Sequence, residues 1–330
     1  MWVLRCRPFT PPFFAPAILA VCPAERSGSA RRLRWPSRTL PTANDHSFDT
    51  MKIPRGIVAR AELRPALAIP ALMFEFLGTT YRYRELIWEL ALKELKIRYK
   101  RSVLGFLWAL LNPALMMLVL TVVFSTIMRF AIPHYAIFLL SVLLPWTFFS
   151  QSLSYAVESI VGNGDLIKKV AIPKLVFPVA AVVSNVINLL LSLIPLALIV
   201  AVLGHPFFVT WLYLPVPILA LIIFTLGLTF LFAAANVYYR DVAHIVQVLL
   251  SAWFYFTPII YALEFIPANM RWFFKLNPII YVLNGFRLAV YYGILPRWQS
   301  IVASFVCAFA ALFIGYSVFR RHQDDFVFYV

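Results

Sequence analysis

Between Gly105 and Phe319 the chain runs as six long apolar stretches with almost no charge inside them, broken by short, mostly basic turns. About 20 consecutive apolar residues are what a helix needs to cross roughly 30 Å of hydrocarbon, and only a helix satisfies its own backbone donors and acceptors there. The expected fold is therefore all-α and integral to a membrane. The composition agrees, with 62% hydrophobic and 13% charged residues, where a soluble domain carries about a quarter charged.

A formal net charge of +15 would suggest nucleic acid in a soluble protein. Here Lys and Arg sit mostly in loops and ends, where they set orientation, so no nucleic-acid partner is expected. Cys6, Cys22 and Cys307 indicate neither a disulfide framework nor a metal site. Residues 1–72 differ in kind, being rich at first in Arg, Pro and Ser, with an apolar run from Phe9 to Val21 broken by Pro11, Pro12 and Pro16. A proline-broken run is a poor signal-peptide core, and a start at Met51 or Met73 is the favoured reading.

The spans are expected at 105–128, 135–157, 175–203, 211–236, 242–263 and 301–319. An even number places both termini on one side. Lys93 to Arg101, then Lys168, Lys169 and Lys174, then Arg240, then Arg320 and Arg321 identify that side as the cytoplasm by the positive-inside rule. The segment 265–300 is apolar enough to suggest a further crossing but contains Lys275, Pro278, Asn284 and Arg287. It reads as a re-entrant or interfacial hairpin on the outer face, since irregular backbone at membrane depth survives only against protein or a wet cavity. Ahead of the first span, residues 81–101 form an amphipathic helix with Leu86, Leu90 and Ile97, or Ile87, Ala91 and Leu95, on its apolar face. It should lie flat on the inner leaflet, as an anchor, a functional contact or both.

No Walker A pattern is present, because Gly162-Asn163-Gly164-Asp165 lacks the Gly-Lys-Ser/Thr that cradles phosphates. There is no HExxH, no CxxC and no Ser-His-Asp arrangement. The carboxylates Glu158 and Glu264 lie only at span ends, so proton coupling lacks its usual residues. What remains is a transport body without an engine. Two turns, Asn163 to Pro178 and Tyr238 to Val242, are short and basic in a way that suits a docked partner.

The residues also carry a resemblance. Arg84 to Trp88, Lys93 to Lys100, Ser102 to Trp108 and Leu111-Asn112-Pro113 resemble the start of the permease subunit of ABC-2 type polysaccharide exporters. Ile172-Pro173-Lys174, Tyr239 to Val242, Phe256 to Tyr261 and Leu276-Asn277-Pro278 resemble the same family in the same order. The match covers residues 73–330. It implies a homodimer of six-span subunits in a bacterial inner (cytoplasmic) membrane. Two copies of a separate ATPase would bind ATP and Mg there, with no cofactor in this chain. The cargo would be an undecaprenyl-diphosphate-linked glycan of the O-antigen, capsule or teichoic acid type.

By the same resemblance, Asp165, Lys168, Lys169, Lys174, Tyr239, Arg240 and Asp241 couple to the ATPase, and Arg98, Lys100 and Arg101 rim the lipid-diphosphate entrance. Basic groups suit a diphosphate. A sliding sugar polymer needs flat apolar faces, for which Phe148, Phe149, Trp253, Tyr255, Phe256 and Tyr261 are candidates beside the ordinary interfacial aromatic belt. Pro258, Asn277, Pro278 and Arg287 mark the outer gate hairpin. The competing readings are an ABC-2 exporter of a small amphiphile or drug, a membrane-embedded polyprenyl-sugar transferase, and a secondary transporter.

Overall fold

The computed structural model describes residues 65–330 except 101, 103, 106, 128–131, 263–266, 268, 270, 271, 273 and 275, and gives the backbone alone at 65–72, 99, 109, 110 and 125–127. The leader up to residue 64, Arg101, Glu264 and Lys275 thus lie outside the described residues. Every regular element among those described is helical: α1 (Pro65–Arg82), α2 (Arg84–Tyr99), α3 (Leu107–Thr121), α4 (Tyr135–Gly162), α5 (Gly164–Lys169), α6 (Val176–Val202), α7 (Pro215–Tyr238), α8 (Val242–Tyr255), α9 (Pro278–Arg287), α10 (Trp298–His322) and α11 (Phe326–Tyr329), with short 3-10 and π turns. Helix α1 begins inside the segment read as leader.

Among the described residues, four helical stretches are long and apolar enough to cross a membrane: Tyr135–Gly162, Val176–Val202, Val209–Tyr238 and Trp298–His322. They correspond to the second, third, fourth and sixth expected spans. The other two differ from single spanning helices. The first contains Pro113 within α3 and passes into a π turn at Val122–Ile127. The fifth is shorter than expected, because α8 stops at Tyr255 instead of running to residue 263. Pro258 supplies no N–H and pushes Thr257 away from helical backbone, which ends the helix although the sequence stays apolar.

Helix α4 is the hub. It touches α3, α6, α7, α8 and α9, and Ile137, Phe138, Leu139, Phe149 and Leu153 along it are fully buried. A helix apolar on all sides suits either a protein core or lipid, and α4 takes the first. Helices α7 and α10 form the most extensive pair. They meet at Gly227 and Gly315, where a Cβ on either residue would strike the backbone of the other helix.

Helix α2 packs on α6 and buries Ile87, Ala91 and Leu95 while Ile97 and Trp88 are exposed. That selects the second of the two apolar faces open in the sequence. Helix α1 is held by Phe76, edge-on to Phe230 and Tyr316, and by a Glu75 to Arg320 ion pair at 2.6 Å.

Candidate functional site

Polar side chains inside α4 and α6 recur at helical spacing. Thr147, Gln151 and Tyr155 lie on one stripe of α4, and Asn185, Asn188 and Ser192 on one stripe of α6. Where the two stripes face each other, with Ser102, Trp108, Asn112 and Phe148, they line a cavity of about 280 Å³ capped by Arg98. Such a wall of amides and hydroxyls at membrane depth is costly unless it serves water or a polar ligand.

Arg98 is fixed in place. Its Nη1 donates to Asn185 Oδ1 at 3.0 Å, and its guanidinium lies 4.1 Å from the Tyr155 ring centroid. Asn185 is itself held by a bond from its Nδ2 to the Ala181 carbonyl at 2.9 Å. The Oδ1 of Asn188 is buried with no partner among the described residues, leaving one acceptor in the wall for a further donor.

One turn back on α2, Glu94 meets Ser184. The serine hydroxyl lies 3.1 Å from Glu94 Oε2 and 2.8 Å from the Ala181 carbonyl. A hydroxyl has a single proton, which Ser184 shares between these two acceptors. Burial pushes the Glu94 carboxyl above its ordinary range, against the Ser184 bond and the nearby charges of Arg98 and Lys93.

A second groove, of about 430 Å³, opens beside the first and shares Asn112, Pro113 and Thr147 with it. Its other walls are α3, α4 and α8, including Met116, Trp146, Ser251, Phe254 and Tyr255. The candidate channel aromatics therefore divide. Phe148 and Tyr255 line these grooves, and Phe256 is half exposed beyond the end of α8. Phe149 is fully buried and stands edge-on to Trp253 with centroids 5.4 Å apart. Tyr261 donates its hydroxyl to the Tyr255 carbonyl at 2.9 Å, and Trp253 donates Nε1 to Asn277 Oδ1 at 2.9 Å.

The four residues read as the outer hairpin are brought together. Asn277 caps α9, accepting from the Ile279 N–H at 3.3 Å, and its Nδ2 reaches Thr257 Oγ1 at 3.1 Å. Pro278 occupies the first helical position, where its missing N–H costs nothing. Arg287, at the other end of α9, is buried and donates to the carbonyls of Pro258 and Ile259 at 2.8 Å each. Its guanidinium also lies 4.0 Å from the Phe138 ring. These bonds satisfy backbone that the end of α8 leaves open.

The two basic turns stand at one end of the molecule. Asp165, Lys168 and Lys169 are exposed on α5, Lys174 follows half-buried, and Tyr239, Arg240 and Asp241 are exposed beyond α7. The second turn is shaped by Asn236, whose side chain donates to the Val157 carbonyl and accepts from the Ala243 N–H, both at 3.1 Å. Lys100, beyond the end of α2, is exposed.

Sequence reading missed the amide wall of Gln151, Asn185, Asn188 and Ser192. The signal was present as helical spacing of polar residues within apolar spans. What sequence does not show is that the two stripes face each other.

A family model described as ABC-2 type transporter matches residues 85–291. The chain is 36% identical over 258 residues to the O-antigen export system permease protein RfbA of Myxococcus xanthus, covering 77% of this chain and 98% of that protein. It is 31% identical over 236 residues to the protein of the same name from Klebsiella pneumoniae, covering 71% and 90%. With the polysialic acid transport protein KpsM of Escherichia coli it shares 26% identity over 238 residues, covering 71% and 92%.

Proposed function

This chain belongs to the ABC-2 type transporter family, and from that premise we propose that it is the permease subunit of an ATP-driven exporter of lipid-linked polysaccharide, of the O-antigen, capsule or teichoic acid type, across the bacterial inner (cytoplasmic) membrane. The observation that carries this reading is the similarity to an O-antigen export permease over 98% of that protein's length.

The site supports it physically. Arg98 suits the diphosphate of a polyprenyl carrier, with the exposed Lys100 two residues on in the chain, and the amide wall behind Arg98 suits the first sugars. The neighbouring groove, with Trp146 and Tyr255, offers flat faces to sugar rings. Met116, Val119, Ile245 and Val248 are exposed apolar residues on α3 and α8, the helices that wall that groove with α4, and suit a second copy of the chain in a homodimer. In this reading α3 and α8 complete six crossings, with the outer hairpin closing the passage and both termini cytoplasmic.

The engine is a separate ATPase, two copies per dimer, which holds ATP and Mg and docks on α5 and the Tyr239–Asp241 turn. Nucleotide binding closes the ATPase pair, moves these elements and opens the passage between the permease copies. Contacts between α11 and both turns support a common side for the ends of α4, α7 and α10.

The deciding experiment removes the gene from its own cell and purifies the tagged chain in mild detergent from a complemented strain. Loss of surface polysaccharide on deletion, with recovery of a roughly equimolar Walker A ATPase, is the expected result. Unchanged surface polysaccharide, or recovery of the chain alone even after crosslinking in membranes, overturns the reading.

A further inference from the structure

Helix α5 has six residues, too few for helical stability of its own. It is anchored inward by Ile167, while its charged residues are exposed. The Tyr239–Asp241 turn is likewise exposed. Helix α5, this lightly held, transmits little force unless something ties it to a firmer element such as the Tyr239–Asp241 turn, which Asn236 fixes at the end of α7.

The segment after α10 does so. Phe326 is fully buried, with its ring 5.3 Å from Phe319 and 6.2 Å from Tyr238. Tyr329 stacks edge-on against Tyr238 at 4.8 Å, and its carbonyl faces Arg240 Nη2 at 3.5 Å. At the other side of the same segment Val330 lies on Gly164. A Cβ on residue 164 would collide with Val330 Cγ1, yet it would sit 3.7 Å from Val330 Cβ, an ordinary contact distance. One short segment thus touches α5 through Val330 and the second turn through Tyr329.

We propose that residues 326–330 are a brace that joins α5 to the Tyr239–Asp241 turn, so that the two move as one body when the ATPase pushes on them. The proposal rests on the exporter reading, because a link between the turns matters to transport only if a partner drives both. Tyr329 and Val330 are positioning residues in this scheme; they act through the turns and touch no cargo.

The contact at Gly164 provides the test. Cells of the source organism lacking their own copy are complemented with wild type, Gly164→Ala, Val330→Ala or the double variant. Surface polysaccharide is measured in the cells, and ATP hydrolysis and permease abundance in membranes from the same cultures. Each single variant is expected to lower polysaccharide displayed per ATP hydrolysed by roughly threefold or more, within the range of coupling between residues in contact. The double variant is expected to recover most of the loss, because two alanine Cβ atoms restore the contact.

If Gly164→Ala also lowers abundance, the ratio for Val330→Ala and its change in the double variant still decide the matter. Singles that keep the wild-type ratio, or a double variant no better than the poorer single, overturn the brace while leaving the exporter intact. ATP hydrolysis that does not depend on this chain, together with undiminished surface polysaccharide in its absence, removes the exporter reading and the brace with it.

Discussion

Arg287 and Pro258, 29 residues apart, are joined by a 2.8 Å hydrogen bond in which the buried guanidinium donates to a carbonyl left open by the end of α8. The neighbouring carbonyl, of Ile259, takes the other arm of the fork at 2.8 Å. Tyr135 adds a third tie from α4, donating to the Ile260 carbonyl at 2.8 Å. A charged side chain here serves as backbone support.

Replacing Arg287 by Lys is therefore not conservative, since one ammonium lacks the planar fork that meets two carbonyls. Arg287→Lys is expected to lower the stability of the purified protein by about 2 kcal/mol, the order of one buried carbonyl left unpaired. Thermal melting in detergent checks this, and a melting point equal to that of wild type counts against the assignment.

Glu94 gives a pH dependence. Its carboxyl is raised by burial, so the folded state holds a proton that the unfolded chain has released. The stabilisation is fully present below the ordinary carboxylate range and is lost as pH rises through the raised value. Glu94→Gln mimics the protonated form and should remove this slope. Melting of the two proteins is expected to converge at acid pH and to diverge in favour of the variant towards neutrality.

Charge reversal at Lys168 with Lys169, or at Arg240, is expected to uncouple ATP hydrolysis from export. All three are exposed, so the fold should be preserved and the permease should reach the membrane in normal amount. Hydrolysis and surface polysaccharide measured together would show unaltered coupling if the docking assignment is wrong.

Asn185 orients Arg98, and Asn185→Ala removes the acceptor of that bond. A hydrogen bond to a charged group contributes about 1.5–3 kcal/mol, so export should fall by roughly tenfold or more. Asn185→Asp, which keeps an acceptor at the same place, should retain more activity than the alanine variant.

Two of the candidate channel aromatics, Phe149 and Tyr255, should behave differently. Phe149→Ala opens a hole in the core and is expected to cost about 3–5 kcal/mol of stability. Tyr255 is 69% exposed, and Tyr255→Ala should leave melting nearly unchanged while slowing polymer flux. Equal effects of both variants on abundance would make Tyr255 a packing residue.

Apolarity gave the spans their places, because a run of 20 or more apolar residues has few alternatives in any protein. The long second, third, fourth and sixth spans were legible for that reason. The ends of α3 and α8 were not, since hydropathy measures what solvent a segment prefers and says little about its backbone. At Thr257-Pro258 the chain stays apolar but cannot stay helical. Asn277 and Arg287 stand out in the sequence as polar exceptions in an apolar stretch, whereas the two carbonyls that Arg287 reaches carry no sequence signal. Phe149 and Tyr255 looked alike for the same reason: an aromatic in a span does not declare whether it faces protein or an opening.

The contact of α7 with α10 at Gly227 and Gly315 leaves no layer of side chains between two backbones. Side chains are the compliant part of a helix pair, able to change rotamer and absorb a small displacement. Here there is little to yield, so the pair behaves as a single stiff beam, about 36 Å long over the 24 residues of α7. One end of this beam carries the Tyr239–Asp241 turn. Near the other, Pro217 rests against Gly285 of α9. A displacement delivered at the first end is expected to carry both helices with it at this crossing.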